Sequence, residues 1–316
     1  MERAERLSRE LSLDVFVKRD DVMEVGLGGS KVRKLEFIIA EALSRGYDVL
    51  ITRGATRSNH VRLTATATRK ADLDVYAVLT PPGDLAVQGN VLIDVIYGAK
   101  LIYVERGEEV NDLVNRLTDE LRAKGRKPYV IPGGGASELG VLGYALVSVE
   151  IMQQALQLRF RPKIVHSTGS GATQAGPTLG LRLLGAEDVK VVGITDSTDA
   201  STIISRATEL LNATVKMLKL DFKVTEDDFA VYDDYGFEGY GVITKEVIEV
   251  ITHVARVEGL LLDTVYTAKV MYGLIDLVGK GVLKNENVVF IPTGGLPILF
   301  QYATDILPVL KSGGLL

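Results

Sequence analysis

Short apolar runs recur along the whole chain, and between them lie segments whose apolar residues repeat every three to four positions. The runs are Leu13–Lys18, Val49–Thr52, Val75–Leu79, Leu101–Val104, Tyr129–Ile131, Ile164–His166, Val189–Ile194 and Val288–Ile291. The helix-period segments include Lys34–Ser44, Asn59–Lys70, Ala86–Tyr97, Val110–Lys124, Glu138–Leu156 and Thr173–Leu184. Short continuous Val, Ile and Leu runs suit strands buried on both faces, and their alternation with helices marks βαβ units. The pattern predicts an α/β protein with open, mostly parallel sheets covered by helices. In such sheets ligands bind beyond the carboxyl ends of the strands, where strand order reverses. Function is therefore sought in the strand-to-helix loops.

Several function classes drop out on composition. The chain has 316 residues, 47% hydrophobic and 24% charged, enough for two packed domains. A net charge of -5 without a long basic run argues against nucleic acid as a partner. The absence of cysteine excludes disulfides, thiolate nucleophiles and cysteine zinc sites, and fits a cytoplasmic protein. No apolar run in the sequence approaches the roughly 20 residues of a membrane span, and the charged start MERAERLSRE lacks the apolar stretch of a signal peptide. The segment from Lys219 to Gly241 reads as irregular and acidic, a solvated face and not a metal site, since no histidine lies in it.

Four loops carry glycine or hydroxyl residues after an apolar run: Arg53–Arg62 (RGATRSNHVR), Pro132–Gly140 (PGGGASELG), Ser167–Gly176 (STGSGATQAG) and Pro292–Pro297 (PTGGLP). A fifth seam, VGLGGSKVRKLEF, puts Lys31 between a glycine-rich turn and a helix start. A phosphate-binding Walker loop needs glycine before its lysine and Ser or Thr after it, whereas Lys31 lies between Ser30 and Val32. Two readings of that lysine stay open on these residues, a Schiff-base lysine and a surface cation at a helix start. Thr168, Gly169, Ser170, Gly171, Ala172 and Thr173 join a strand to a helix. Glycines there expose amide groups at the positive helix end and the hydroxyls add donors, which makes an anion cup. A dinucleotide fingerprint would need Gly or Ala at position 174, where the chain has Gln174. The cup suits a phosphate monoester better than a pyrophosphate, with a ligand-free turn as the plain alternative. A monoester cup, a seam lysine and no catalytic cysteine point to pyridoxal phosphate, which needs a lysine and a phosphate site.

GLGGSKVRKLEF resembles the cofactor-lysine segment of the 1-aminocyclopropane-1-carboxylate deaminase and D-cysteine desulfhydrase family. The similarity continues in order through GATRSNHVRLTA, TGSGATQAG, EGLLLDTVYTAKVMYGL and IPTGG, and so covers nearly the whole chain. The resemblance implies the tryptophan-synthase-β-like fold (type II) of two α/β domains, a large one of residues 1–34 and 144–316 and a small one of residues 35–143. It implies pyridoxal 5'-phosphate as cofactor, a small amino acid as substrate and a homodimer. Lys31 would be the Schiff-base lysine and would shuttle protons at the substrate α-carbon. Residues Thr168 to Thr173 would hold the cofactor phosphate, Asn59 its 3-oxygen and Thr293 its ring nitrogen. Ser58, Asn59 and His60 would face the substrate, with Ser58 transferring a proton. Tyr240 and Tyr266 match tyrosines directed at the substrate, against the plain alternative of core tyrosines with satisfied hydroxyls.

Some positions depart from the family pattern. Ser30 stands where Asn is usual, Pro292 replaces a histidine before TGG, and the chain begins inside a segment that relatives precede with a proline-containing lead. Thr267 stands where cyclopropane deaminases have Glu, so Thr267 is read as a substrate-side residue of the desulfhydrase kind. His166 and His253 read as packed or surface residues, and Lys245 and Lys269 as helix-surface cations. The function expected is elimination and deamination of a small amino acid, D-cysteine first, giving pyruvate, ammonia and hydrogen sulfide. The alternatives are 1-aminocyclopropane-1-carboxylate deaminase, a serine or threonine deaminase, and a cofactor-binding protein without turnover. A nucleotide-binding Rossmann protein is disfavoured by Gln174.

Overall fold

The computed structural model describes residues 1–80, 87–105, 107–237 and 239–312. Its strands form two open sheets. The larger runs β1 (Glu2–Arg3), β2 (Asp14–Val17), β10 (Asn287–Ile291), β7 (Pro162–Thr168), β8 (Val191–Thr195), β9 (Ala230–Tyr232). Its strands pair in parallel except β1 with β2. The smaller runs β5 (Lys100–Tyr103), β4 (Asp74–Thr80), β3 (Val49–Ala55), β6 (Pro128–Val130), parallel throughout. The helices are α1 (Glu5–Leu11), α2 (Lys31–Ser44), α3 (Asn59–Lys70), α4 (Gly89–Ile96), α5 (Val110–Ala123), α6 (Glu138–Leu158), α7 (Ala172–Leu183), α8 (Ala200–Met217), α9 (Lys245–Glu258), α10 (Thr267–Gly279), α11 (Leu296–Gln301) and α12 (Ala303–Ser312).

Each apolar run named above falls on a strand. Val49, Leu50 and Ile51 of β3 and Val288 to Ile291 of β10 are all fully buried, as expected when helices cover both faces of a parallel sheet. Two strands escaped the sequence reading. β1 is only two residues long, and β9 is a three-residue edge strand in the segment read as irregular, where Ala230 pairs with Val192. Ala86, taken as a helix start, lies outside the described residues, and α4 begins at Gly89.

The helix-period segment Glu138–Leu156 is α6, and here the expectation that no stretch approaches a membrane span in length is corrected. Among the described residues it is the one helix long and apolar enough to cross a membrane by length and composition, with a mean hydropathy of 1.4. Its apolar character serves packing here, because α6 lies against α2, α7 and α8. Glycines set the close approach. A β-carbon at Gly143 of α6 would lie 2.3 Å from the Arg33 carbonyl oxygen of α2, and one at Gly180 of α7 equally close to the Ala145 carbonyl oxygen of α6.

The strand orders fix where a ligand can enter. In the larger sheet the chain proceeds from β7 outward to β8 and β9, while β10 lies on the other side of β7. In the smaller it proceeds from β3 to β4 and β5, then returns to place β6 beyond β3. Order therefore reverses between β7 and β10 and between β3 and β6, which opens a crevice at each carboxyl end. The loops leaving those four strands are the four picked out by their glycines and hydroxyls.

Candidate active site

The turn before Lys31 exists because glycine occupies it. Gly28 has φ +70, and a β-carbon there would lie 2.2 Å from the Asp21 carbonyl oxygen. The turn is stitched on both sides. The Gly29 amide donates to the Asp20 carbonyl at 2.7 Å, the Ser30 amide donates to the Thr293 carbonyl at 3.0 Å, and Arg62 Nη2 donates to the Gly28 carbonyl at 3.1 Å. These bonds fix the loop although Ser30 makes no side-chain cap. Two residues on, buried Arg33 donates to both oxygens of Asp20 and of Glu150, which pins the first turn of α2 against α6. Lys31 projects from this clamped start into a cavity of about 310 Å³, with Nζ 5.7 Å from the centre of the Tyr266 ring. Burial lowers its pKa, against the pull of the Asp196 and Asp263 carboxylates.

The loop after β3 supplies the opposite wall. Ser58 caps α3, its Oγ accepting from the Val61 amide at 3.3 Å, and it also lines the cavity. Asn59 is oriented by a relay. Asn90 of α4 donates Nδ2 both to the Arg57 carbonyl and to Asn59 Oδ1, each at 2.9 Å. A carbonyl can only accept, so the Asn90 amide is fixed, and the Asn59 NH₂ finds no acceptor among the described residues. His60 shares a 2.8 Å hydrogen bond between Nε2 and Thr52 Oγ1, and its buried Nδ1 has no partner among the described residues. Burial, then the charges of Lys31 and Lys34, press its pKa down to about 3, so the ring is neutral.

The loop after β7 forms the third wall. Ser167, Gly169, Ser170 and Thr173 line the cavity, while Thr168 and Ala172 are buried in the turn. Gly171 takes φ +85, and a β-carbon there would press on the Ala207 amide nitrogen at 3.0 Å. Behind this turn stands a cation the sequence reading missed. Lys34 is fully buried, and its Nζ donates to Thr173 Oγ1 at 2.9 Å and to the Gly134 carbonyl at 3.3 Å. Burial, then the charge of Lys31, lower its pKa well below the usual lysine value. Among the described residues the buried Thr168 hydroxyl has no partner. A buried lysine amine, which a phosphate's charge would favour in its ammonium form, an orphaned hydroxyl and the first turn of α7 are a donor set that fits a phosphate monoester.

The remaining wall carries an acid and two phenols. Tyr240 and Tyr266 share a 2.8 Å hydrogen bond between their hydroxyls, and burial raises the pKa of both, so they stay protonated. Asp196, at the end of β8, lines the cavity with its pKa pushed up to about 6 by burial, against the pull of Lys269 and Lys31. It is a second group the sequence reading did not single out.

The structure redirects two residues. Thr267 was read as a substrate-side residue, but its hydroxyl donates to Asp263 Oδ1 at 2.7 Å and accepts the Asp263 amide at 2.8 Å, and it does not line the cavity. Asp263 needs that partner because it also accepts from the Val265 and Tyr266 amides, holding the turn that aims Tyr266. Lys269 was read as a surface cation and is fully buried. Lys245 is exposed beside Glu249, as expected of a helix-surface cation. His166 is packed within β7, and His253 pairs with Glu10 on the surface. Thr293 is buried, does not line the cavity, and meets the lysine turn through its carbonyl.

A family described as "Pyridoxal-phosphate dependent enzyme" matches residues 1–294. The chain is 44% identical over 308 residues to a protein of Pyrococcus abyssi named "Putative 1-aminocyclopropane-1-carboxylate deaminase", covering 96% of this chain and 91% of that one. A protein of Pyrococcus horikoshii with the same name is 41% identical over 306 residues at the same coverage. Among solved structures, one described as an ACC deaminase homologue superposes with a TM-score of 0.90 at 40% identity, covering 98% of this chain and 93% of that one. The processed form of threonine deaminase isoform 2 from Solanum lycopersicum shares the fold, with a TM-score of 0.65 at 19% identity, covering 99% and 83%. The architecture is thus the type II fold expected from the motifs. The chain belongs to the pyridoxal-phosphate dependent enzymes, with the lyases and deaminases that resemble 1-aminocyclopropane-1-carboxylate deaminase.

Proposed function

We propose that the chain eliminates a leaving group from the β-carbon of a small amino acid and, with one water to hydrolyse the resulting imine, releases the nitrogen as ammonia, with D-cysteine as substrate and pyruvate and hydrogen sulfide as the other products. The observation that carries this reading is the convergence of Lys31, the Ser58–His60 loop and the Tyr240–Tyr266 pair on one cavity beside a phosphate-fitting cup. Lys31, Asn59, the loop 168–173 and Thr293 would hold pyridoxal phosphate, with Lys34 as the cation behind the cup. When bound, the cofactor supplies an electron sink for the substrate α-carbon. Lys31 Nζ, its pKa lowered, takes the α-proton as a neutral amine. The amides at the start of α3 and Ser58 Oγ hold the substrate carboxylate. The paired phenols, kept protonated by burial, donate to the departing sulfur. Division of the chain into residues 1–34 with 144–316 and residues 35–143, a homodimer and a cytoplasmic location belong to the same proposal.

The names of the Pyrococcus relatives favour a second reading, deamination of 1-aminocyclopropane-1-carboxylate. Against it, the position where such deaminases have Glu is Thr267, whose hydroxyl is engaged by Asp263 and offers the cavity no acid. D-cysteine is therefore expected to give pyruvate with a higher kcat/KM than the cyclopropane substrate gives 2-oxobutyrate. The reverse ranking, measured side by side, would move the chain to the deaminase reading.

Ser58 has two jobs that one variant separates. As the cap of α3 it contributes about 1 kcal/mol to stability. As a group that orients or protonates substrate it should matter to turnover by roughly 10²-fold. Ser58→Ala is expected to keep the visible spectrum of the bound cofactor, melt slightly lower and lose that turnover. Normal kcat at a lowered melting temperature would leave Ser58 as a cap only.

A further inference from the structure

Lys269 is the third residue of α10, and its side chain is fully buried. The three donors of its ammonium meet three main-chain oxygens: the Gly236 and Gly239 carbonyls at 2.9 Å and the Asp196 carbonyl at 3.1 Å. The Phe237 ring centre lies 5.8 Å away. Burying a lysine opposes stability unless its charge is compensated, and burial does depress this one, against the Asp196 and Asp263 carboxylates. An apolar side chain would avoid that cost but would strand three carbonyls. A cage of backbone carbonyls is the environment that recognises a dehydrated potassium ion. Ammonium and potassium are close in size, which is why they exchange in such sites.

We propose that Lys269 is a tethered monovalent cation, filling with its own ammonium a site that would otherwise bind potassium. The cage joins the end of β8, which carries Asp196, to the loop that leads into Tyr240, while the lysine itself stands three residues after Tyr266. Lys269 is thus a positioning residue that holds the acid and both phenols in register without touching substrate. The role rests on the reading of Tyr240 and Tyr266 as site residues. The tether makes the enzyme independent of dissolved alkali cations.

Lys269→Met removes the ammonium and keeps the length of the stem. Holoenzyme and variant are compared in potassium, ammonium, sodium and choline chlorides at one ionic strength, reading melting temperature and D-cysteine turnover. The wild type should respond alike to all four. The variant should melt lower in choline and gain about 3 °C or more in potassium or ammonium, less in sodium, with turnover rising at least about threefold in the same order. A variant unaffected in choline, or impaired equally in all four salts, overturns the proposal. If it is insoluble, it is refolded from urea in each salt. Recovery in potassium or ammonium alone supports the site, and equal recovery or equal failure in all four overturns it. The melting readout does not depend on which amino acid is turned over, so its failure and that of the desulfhydrase reading are separable.

Discussion

Replacing Lys31 by alanine should lower turnover by roughly 10³-fold or more and abolish covalent retention of pyridoxal phosphate, with the fold intact. Lys31 is the lysine that opens into the cavity, while its neighbour Lys34 is committed to Thr173 and Gly134 behind the cup. Both pKa values are depressed, so neither is distinguished by basicity alone. Geometry distinguishes them. Borohydride treatment followed by peptide mass analysis should place the pyridoxyl group on Lys31 in the wild type and nowhere in Lys31→Ala. Lys34→Ala should still carry the label at Lys31 but release the cofactor more readily, because a charge-assisted contact behind the phosphate is gone. Label at Lys34, or undiminished turnover in Lys31→Ala, would reverse the two assignments.

Much of the fold was legible because parallel strands buried on both faces leave an unbroken apolar signature. β3, β7, β8 and β10 announce themselves that way. The edge strand β9 has no such run, since it pairs on one side only, its three residues are half-buried and its neighbours in sequence are acidic. The helix α6 was legible as a helix but not as an interior one. Its pairing with α2 and α7 depends on Gly143 and Gly180, whose missing side chains are not read by periodicity.

The candidate site divides along the same line. Glycine turns, hydroxyls at a strand end and a lysine at a helix start are local patterns, so the lysine turn, the Ser58 loop and the cup could be found in the sequence. Lys34, Lys269 and Asn90 draw their meaning from oxygens delivered by distant segments, and Asp196 from its burial and the lysines around it. The Lys269 cage joins residues some 30 to 70 positions away from it. One sequence signal did exist. Lys269 falls within YTAKVMYGL, where Ala268, Val270, Met271 and Leu274 are all buried, and a cation on so apolar a helix needs a partner inside the protein. Thr267 misled in the opposite direction. Its position matches an acidic site residue, yet Asp263 four residues earlier claims the hydroxyl as part of its own cap.

His60 offers a thermodynamic test of the site's electrostatics that needs no substrate. Its ring is buried and bonded to Thr52, and burial, then the charges of Lys31 and Lys34, press its pKa from 6.5 to about 3. The folded state therefore resists a proton that the unfolded chain accepts. The sign follows from linkage: the contribution of a neutral His60 is complete above pH 6.5 and is lost as pH falls from there toward 3. Each pH unit in that window is worth about 1.4 kcal/mol, so near pH 4.5 the wild type should have lost about 3 kcal/mol through this residue. Asp196, with its pKa raised to about 6, runs the other way over part of the range. Comparison with His60→Gln cancels it, because both proteins carry the same Asp196. Urea unfolding of the cofactor-free proteins at pH 7.5 and 4.5 should show the wild type losing about 3 kcal/mol more than the variant between the two conditions. Equal losses would mean that His60 binds its proton in the folded state, which would place a positive charge beside Lys31 and remove the reason for a neutral imidazole on the substrate side.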